Sequence, residues 1–147
     1  MTKSQDIASL KAMQNMREEQ RLLAYARARA MVESREQRLK QLEAEVAESE
    51  RIFEETASSP DLCLDSLRMA SARLDAAAFE AMRGAATLEH AKAEETDCRR
   101  EWQVDHSRTK QLAARHREAV RKETAKAEMR AEAEYMSFRA ATRTGGR

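Results

Sequence analysis

The chain has 147 residues, of which 27 are basic, 26 are acidic and only 4% are aromatic. With 36% charged residues, it has too few apolar side chains for a compact globule with a large core. Three Gly and one Pro leave few places for turns, which argues against a strand-rich fold, and the abundance of Ala, Glu, Arg and Leu favours long helices. Because the opposite charges nearly balance and are interspersed, we expect these helices to fold as one domain over residues 1–147.

A single interior break is visible, around Pro60. Ser59 can cap a helix, Pro60 fits a first helical position, and Asp61 favours the positive end of a helix dipole. The pattern predicts a first helix over residues 4–57, a turn at 58–60, a second helix over 60–142 and a flexible tail at 143–147.

Apolar residues on both sides of the break recur at the three-and-four spacing of heptads. On the first helix these are Val32, Leu39, Leu42, Val46 and Phe53, with Arg35 and Ser49 as polar interruptions. On the second they are Leu67, Ser71, Leu74, Ala78, Ala81, Ala85 and Leu88. Folding at Pro60 pairs Phe53 with Leu67, Val46 with Leu74, Leu42 with Ala78, Leu39 with Ala81, and Val32 with Leu88. The predicted fold is all-α, a long antiparallel two-helix coiled coil with unequal arms.

The heptads loosen away from the turn. The second helix then passes through Lys92, Glu95 and Arg99 before it reaches Trp102, which predicts the weakest stretch of the coil. Gly84 costs about 1 kcal/mol relative to Ala and predicts a tolerated weak point or slight bend. Near the termini, the expected contacts join Ile7, Leu10, Met13 and Met16 to Trp102, Val104, Leu112 and Val120. From about Val120 onward, the second helix has no predicted partner within the chain.

Patterns for catalysis, metal binding or a cofactor are not found. His90, His106 and His116 lie too far apart to share a metal on one helix face, and no Gly-rich phosphate loop occurs. If Cys63 and Cys98 lie on one helix, they are about 50 Å apart, so both should be reduced. No segment resembles a signal peptide or a membrane span, which predicts a cytoplasmic protein without direct membrane insertion.

Positive charge is concentrated near the carboxyl terminus. Residues 99–147 have 13 basic and 7 acidic side chains, whereas residues 61–98 have 4 and 8. The arginines alternate with glutamates, which dilutes any stripe for nucleic acid, so an acidic protein surface is the better partner. Tyr135 and Phe138, flanked by arginines, are residue types that anchor protein interfaces. A frayed tail with incidental aromatic residues is the alternative.

The architecture resembles the FliJ/YscO family of stalk proteins of flagellar and injectisome type III export. The resemblance is in the length, the two helices of unequal length, the central turn, and the Arg-, Glu- and aromatic-rich end of the second helix, from Arg121 to Arg143. It implies a non-enzymatic stalk that resembles the rotor stalk of F-type ATPases, regulates a hexameric export ATPase by entering its central pore, and also contacts the export-gate membrane protein and export chaperones. Its location would be peripheral to the inner-membrane export apparatus, and the free protein would be a monomer.

Two groups of site residues follow from this resemblance. The ATPase-binding residues would be Arg117, Arg121, Arg130, Tyr135, Phe138 and Arg139. The export-gate-binding residues would be Leu42, Val46, Phe53, Leu74 and Phe79. The main alternative is a generic self-associating coiled-coil scaffold, which uses the same heptads and would form a stable stoichiometric oligomer.

Overall fold

The computed structural model describes residues 2–145 as two long α-helices. Helix α1 spans Lys3–Ala57 and helix α2 spans Leu64–Thr144, with residues 58–63 connecting them and no strand in the described range. The two helices pack against each other. The predicted all-α hairpin with unequal arms is therefore confirmed, with 55 residues in α1 and 81 in α2.

Contacts within the chain group its residues into two compact units. The turn unit is Arg21–Trp102, and the terminal unit combines Met1–Gln20 with Gln103–Arg147. Each unit contains a segment of both helices.

Helix α1 begins with a capping box formed by Thr2 and Gln5. The Gln5 backbone N–H donates to Thr2 Oγ1 at 3.4 Å, and the Thr2 backbone N–H donates to Gln5 Oε1 at 3.0 Å. The Thr2 amide is thereby satisfied, and the Gln5 N–H also donates to the Thr2 carbonyl at 3.0 Å. The helix consequently starts at Lys3, one residue before the predicted start.

Helix α2 begins at Leu64, four residues after the predicted start at Pro60. The Cys63 carbonyl accepts the first helical hydrogen bond, from the Leu67 N–H at 3.0 Å. The backbone and the side chain of Ser66 form hydrogen bonds with the Cys63 thiol, so Cys63 caps the helix. These hydrogen bonds also lower the pKa of the thiol. Pro60 lies in the connection instead. Cys63 and Cys98 are both free, and Cys63 is exposed.

At its other end, α2 continues to Thr144, so Arg143 and Thr144 are helical rather than part of the predicted tail. The Gly145 backbone N–H donates to the Ala141 carbonyl at 3.1 Å, which extends the helical bonding pattern by one residue. The last two residues of the predicted tail lie outside the described range.

In the turn unit, the least exposed positions of both helices follow a strict three-and-four alternation. On α1 they include Tyr25, Ala28, Val32, Leu39, Leu42, Val46, Ser49, Phe53 and Thr56. On α2 they include Leu67, Ala70, Leu74, Ala77, Ala81, Gly84, Leu88, Ala91, Glu95, Cys98 and Trp102, and Ser71 and Ala78 next to them are also half-buried. This spacing keeps one stripe of each helix facing the other, as in a coiled coil.

The phase of this stripe on α2 differs from the prediction in part, because Ala70 and Ala77 join it beside the predicted Ser71 and Ala78, which are also half-buried. Ala70 is buried and Gly84 is half-buried, whereas Ala85, a predicted seam residue, is exposed. The same phase places Ala91 and Cys98 in the seam where the sequence predicted Lys92 and Arg99. Moving the stripe by one residue buries small apolar side chains and leaves the charged ones in water, which is favourable.

The predicted layer of Val32 and Leu88 belongs to the buried core of the turn unit. These two side chains are buried together with Ala91, and Leu39 packs against them. Tyr25 stacks on Trp102 with ring centroids 6.2 Å apart and planes inclined by 12°. An aromatic pair thus occupies the stretch that the sequence predicted to be the weakest of the coil.

The terminal unit has a largely polar seam, in which Ile7 and Leu112 are half-buried as predicted but most of the other predicted apolar contacts are not formed. Its half-buried or buried positions are Ser4, Ile7, Lys11, Gln14 and Glu18 on α1, and Asp105, His106, Thr109, Leu112, Ala113, His116, Ala119 and Glu123 on α2. Leu10, Met13, Met16, Val104 and Val120 are exposed instead. The heptad phase of the helices determines this outcome, because it points the polar residues inward in this unit.

Gly84 is a packing position rather than a bend. A Cβ added to Gly84 would lie 2.6 Å from Leu42 Cδ1 and 3.6 Å from Leu39 Cδ1. Its backbone is helical without a positive φ. The absence of a side chain therefore lets Leu42, which is only 3% exposed, fill the space between the helices.

We predict that Gly84→Val lowers the free energy of unfolding by about 1–3 kcal/mol, because the added methyl groups overpack the layer of Leu42. Gly84→Ala should change it by less than about 1 kcal/mol, since the gain in helix propensity offsets the crowding. Urea unfolding followed by circular dichroism at 222 nm measures both. In a Leu42→Ala background, Gly84→Val should cost less than in the native chain. An equal cost would contradict the proposed contact.

Candidate protein-binding surfaces

The pairing of the two helices ends at Ser4 and Glu123. The Ser4 backbone N–H donates to Glu123 Oε1 at 2.9 Å, and the Ser4 hydroxyl donates to Glu123 Oε2. These bonds lower the pKa of Glu123, so its carboxylate stays charged. Residues 124–144, which we call the C-terminal extension, continue as α2 and are all exposed.

All six predicted ATPase-binding residues are exposed on α2. Arg117 and Arg121 lie where α2 still pairs with α1, and the other four lie on the C-terminal extension. Arg117, Arg121, Tyr135 and Phe138 fall on one row, because their numbers differ by combinations of three and four. Arg139 is one turn from Tyr135 and adjoins this row. Arg130 lies on another face, so five of the six share one side of α2 but are spread along its length.

A second apolar row follows the opposite side of the C-terminal extension. Met129, Ala133, Met136 and Ala140 are spaced by four, three and four residues. Met136 and Phe138 are two positions apart, which places them on different sides of a helix. Met129, Tyr135, Met136 and Phe138 are between 60% and 70% exposed. The extension therefore presents apolar side chains on two sides.

A groove of about 560 Å³ lies between α1 and α2 in the terminal unit. Its floor is apolar, with Ile7, Leu10, Leu112 and Ala119. Its rim is mostly basic, with Lys3, Arg115, Lys122 and Lys126 next to Glu118 and Glu123. Both rim carboxylates are already hydrogen-bonded. Lys122 donates to Glu118 at 2.6 Å and lowers the pKa of Glu118, and Ser4 donates to Glu123. The groove thus adds uncompensated positive charge to the start of the C-terminal extension.

The predicted gate-binding residues are placed unequally. Leu42 is buried, and Val46, Phe53 and Leu74 are half-buried in the seam. Their side chains contribute mainly to the packing of α1 on α2. Phe79 alone among the five is exposed, at 60%, with the Arg83 guanidinium 6.0 Å from its ring centroid.

A row of exposed residues on the outer face of α2 was not identified by the sequence reasoning. Met69, Ala72, Ala76, Phe79 and Arg83 recur at the three-and-four spacing. The seam residues Ala70, Leu74 and Ala77 lie on the other side of the helix. A search for a second heptad phase, beside the one that pairs α2 with α1, would have found this row.

Sequence reasoning also missed a buried polar layer around Asp105, which is only 3% exposed. Gln14 Nε2 donates to Asp105 Oδ1 and to the Asp105 carbonyl, both at 3.2 Å. Arg17 Nε lies 3.6 Å from Asp105 Oδ2, and the Thr109 hydroxyl donates to the Asp105 carbonyl. A buried acceptor with partners on both helices fixes which residues face each other.

Next to this layer, Glu18 pairs with His106 at 2.6 Å between Oε1 and Nδ1. Hydrogen bonds from Thr109 and then His106 lower the pKa of Glu18. The carboxylate is therefore favoured in the charged form in the folded chain.

Within residues 2–145, no group of three His, Cys, Asp or Glu side chains could hold a metal ion. Nor does any helix in this range have a segment long and apolar enough to cross a membrane. Comparison with known proteins gives no match to a family model, a curated sequence or a solved structure.

We predict that Asp105→Ala lowers the free energy of unfolding by about 1–3 kcal/mol, because Gln14 and Arg17 lose a buried acceptor. The matched control is Glu101→Ala, which removes the exposed ion pair with Arg21 and should cost less than about 1 kcal/mol. Thermal or urea unfolding compares the two variants. Equal effects would mean that the polar layer adds nothing beyond a surface pair.

The lowered pKa of Glu18 predicts a pH dependence of stability. A depressed pKa in the folded state stabilises the fold above the unfolded value, and this contribution is lost as the pH falls below about 4.5. Glu18→Gln should therefore flatten the loss of stability between pH 5 and pH 3, relative to the native chain. Glu19→Gln, at the exposed neighbouring position, is the control for the loss of one negative charge. Parallel curves for all three proteins would contradict the role of Glu18.

Proposed function

We propose that this protein is a non-enzymatic stalk of a type III export apparatus, either flagellar or of an injectisome, which binds the central pore of a hexameric export ATPase. The C-terminal extension enters the pore in this proposal. The turn unit contacts the export-gate membrane protein, and export chaperones are further partners. The protein acts in the cytoplasm, peripheral to the inner membrane, and reaches the ATPase as a monomer.

The observation that supports pore binding most directly is the pair of apolar rows on the C-terminal extension. A helix that docks in a groove needs one apolar side, which the groove covers. Phe138 and Met136 lie on different sides, so both rows become buried only if the partner surrounds the helix. A ring-shaped partner with a central channel meets that requirement.

Charge supports the same arrangement. Arg130, Arg139 and Arg143 lie between or beside the apolar rows, and the basic groove adjoins the start of the C-terminal extension. Arginine and aromatic side chains dominate the binding energy of protein interfaces. Basic side chains also speed association with an acidic surface. An acidic pore lining is therefore the expected complement.

The experiment that tests this proposal is co-purification with the hexameric export ATPase, together with its ATPase rate. The native chain should bind and stimulate hydrolysis, and Phe138→Ala and Arg139→Ala should each weaken binding by about tenfold or more. Phe79→Ala is the matched control, since Phe79 is similarly exposed but lies in the turn unit. Absence of binding and of stimulation by the native chain would eliminate the stalk proposal.

Variants of the second row distinguish a pore from a groove. If the partner surrounds the helix, Met136→Ala and Met129→Ala should weaken binding as Phe138→Ala does. If only the variants of one row weaken binding, the partner would instead cover one side of the helix, as a groove does. If the native chain binds and Phe138→Ala and Arg139→Ala both stimulate normally, the residue assignment is wrong although the partner is right.

The alternative function is a self-associating coiled-coil scaffold. The heptads of the turn unit support it equally well, because they need no second kind of protein. A scaffold would form a stoichiometric oligomer that persists on dilution, whereas a stalk depends on its ATPase. Sedimentation at low micromolar concentration separates the two functions.

A further inference from the structure

The exposed row on the outer face of α2 is built like half of another coiled coil. Met69, Ala72, Ala76, Phe79 and Arg83 keep the three-and-four spacing over four turns, and Met69 and Phe79 are 75% and 60% exposed. The opposite face of α2 already packs on α1 in this unit. Nothing in the described chain covers the outer row, so its two large apolar side chains are left in water.

We propose that this row binds the same row of a second copy of the chain, with the two α2 helices antiparallel, in a weak and reversible dimer. A dimer with two-fold symmetry uses one surface twice, so the surface must be complementary to itself. The outer row of α2 meets this condition in its apolar and in its charged residues. The proposal does not depend on the proposed function.

One antiparallel register matches the side chains best. Placing Met69 opposite Phe79 of the second copy also places Ala72 opposite Ala76 and, by symmetry, repeats both layers. The two central Ala–Ala layers let the helices approach closely, and the methionine thioether packs on the aromatic ring at each end.

Charge selects this register over its neighbours. The next layer outward on each side brings Arg83 opposite Asp65 of the second copy, which forms two symmetric opposite-charge pairs. A shift by one heptad in one direction would place Arg83 opposite Ala72, and in the other it would place Asp65 opposite Ala76. Both shifts remove the charge pairs. In the single chain, Arg83 already lies over the Phe79 ring and contacts Glu80 at 3.3 Å, so it is held near this face.

The contact is short, which sets its strength. Four apolar layers and two charge pairs bury much less surface than a stable dimer needs, so association should appear only at high concentration. Phe79 also belongs to the proposed gate surface. The dimer and the gate complex would therefore exclude each other, and dilution or binding to the gate would release the monomer.

Sedimentation equilibrium from about 10 µM to about 1 mM tests the dimer, a range that reaches dissociation constants in the millimolar regime. The native chain should change from monomer to dimer across this range. Phe79→Glu should raise the dissociation constant by about tenfold or more, because it places a charge in an apolar layer. Met13→Glu is the matched control, since Met13 is 68% exposed, compared with 60% for Phe79, but lies on α1 in the terminal unit. Circular dichroism confirms that both variants are folded.

Disulfide trapping tests the register. In a background of Cys63→Ser and Cys98→Ala, chains with Ala72→Cys are mixed with chains with Ala76→Cys and then oxidised. Because the register places position 72 opposite position 76, disulfides should form between the two kinds of chain and rarely within one kind. Random linkage would overturn the register.

A chain that remains monomeric up to about 1 mM would overturn the dimer and assign the row to a different partner. Unchanged dimerisation of Phe79→Glu would overturn the assigned surface. Neither result affects the test with the export ATPase, which uses residues of the C-terminal extension.

Discussion

The fold depends on a narrow seam in which each helix buries one residue in every three or four. Val32, Leu42 and Leu88 are buried there, and most of the remaining surface is charged and in water. A chain with so little apolar surface gains stability only if the same stripe of each helix faces the other without a slip. Gly84 illustrates how narrow the seam is, because its missing Cβ is what leaves room for Leu42.

Polar residues inside the seam give the pairing its specificity. In the terminal unit, Asp105 accepts hydrogen bonds from Gln14, and Ser4 binds Glu123. These contacts add little stability compared with apolar packing, since charged groups must leave water to form them. They penalise other alignments, however, because a slip of one turn would leave Asp105 buried without its partners. Apolar packing in the turn unit thus contributes mainly to stability, whereas polar pairing in the terminal unit contributes mainly to the correct alignment of the helices.

The sequence was sufficient to predict the helices, the single break and the Val32–Leu88 layer, because these follow from composition and from well-separated large side chains. It was not sufficient to choose between Ala70 and Ser71 as the seam residue. Both are small, and a shift of one residue changes little in the apolar pattern while it decides which charged residues are exposed. The delayed start of α2 was missed for a related reason. Pro60 is a favourable first residue of a helix, but Cys63 supplies the hydrogen bonds that begin it.

For the candidate surfaces, the sequence identifies the residues but not their arrangement. Tyr135 and Phe138 stand out in any reading, because aromatic residues are rare in this chain and the seam cannot reach them. Their arrangement relative to Met136 required a continuous helix through residue 144, which composition alone does not guarantee. The polar layer at Asp105 could not be predicted, since an isolated aspartate in a charged sequence resembles a surface residue until its heptad position is known.

The position of the connection has a consequence for how the chain folds. Residues 58–63 join the helices directly, so the layer of Phe53 and Leu67 closes the smallest loop and has the lowest entropic cost. Each layer that forms brings the next pair of residues together, and closure therefore proceeds outward one heptad at a time. The bond between Ser4 and Glu123, 119 positions apart, would be the last to form and the first to open. The chain is thus expected to behave as a zipper whose starting point is fixed by its only proline-containing segment.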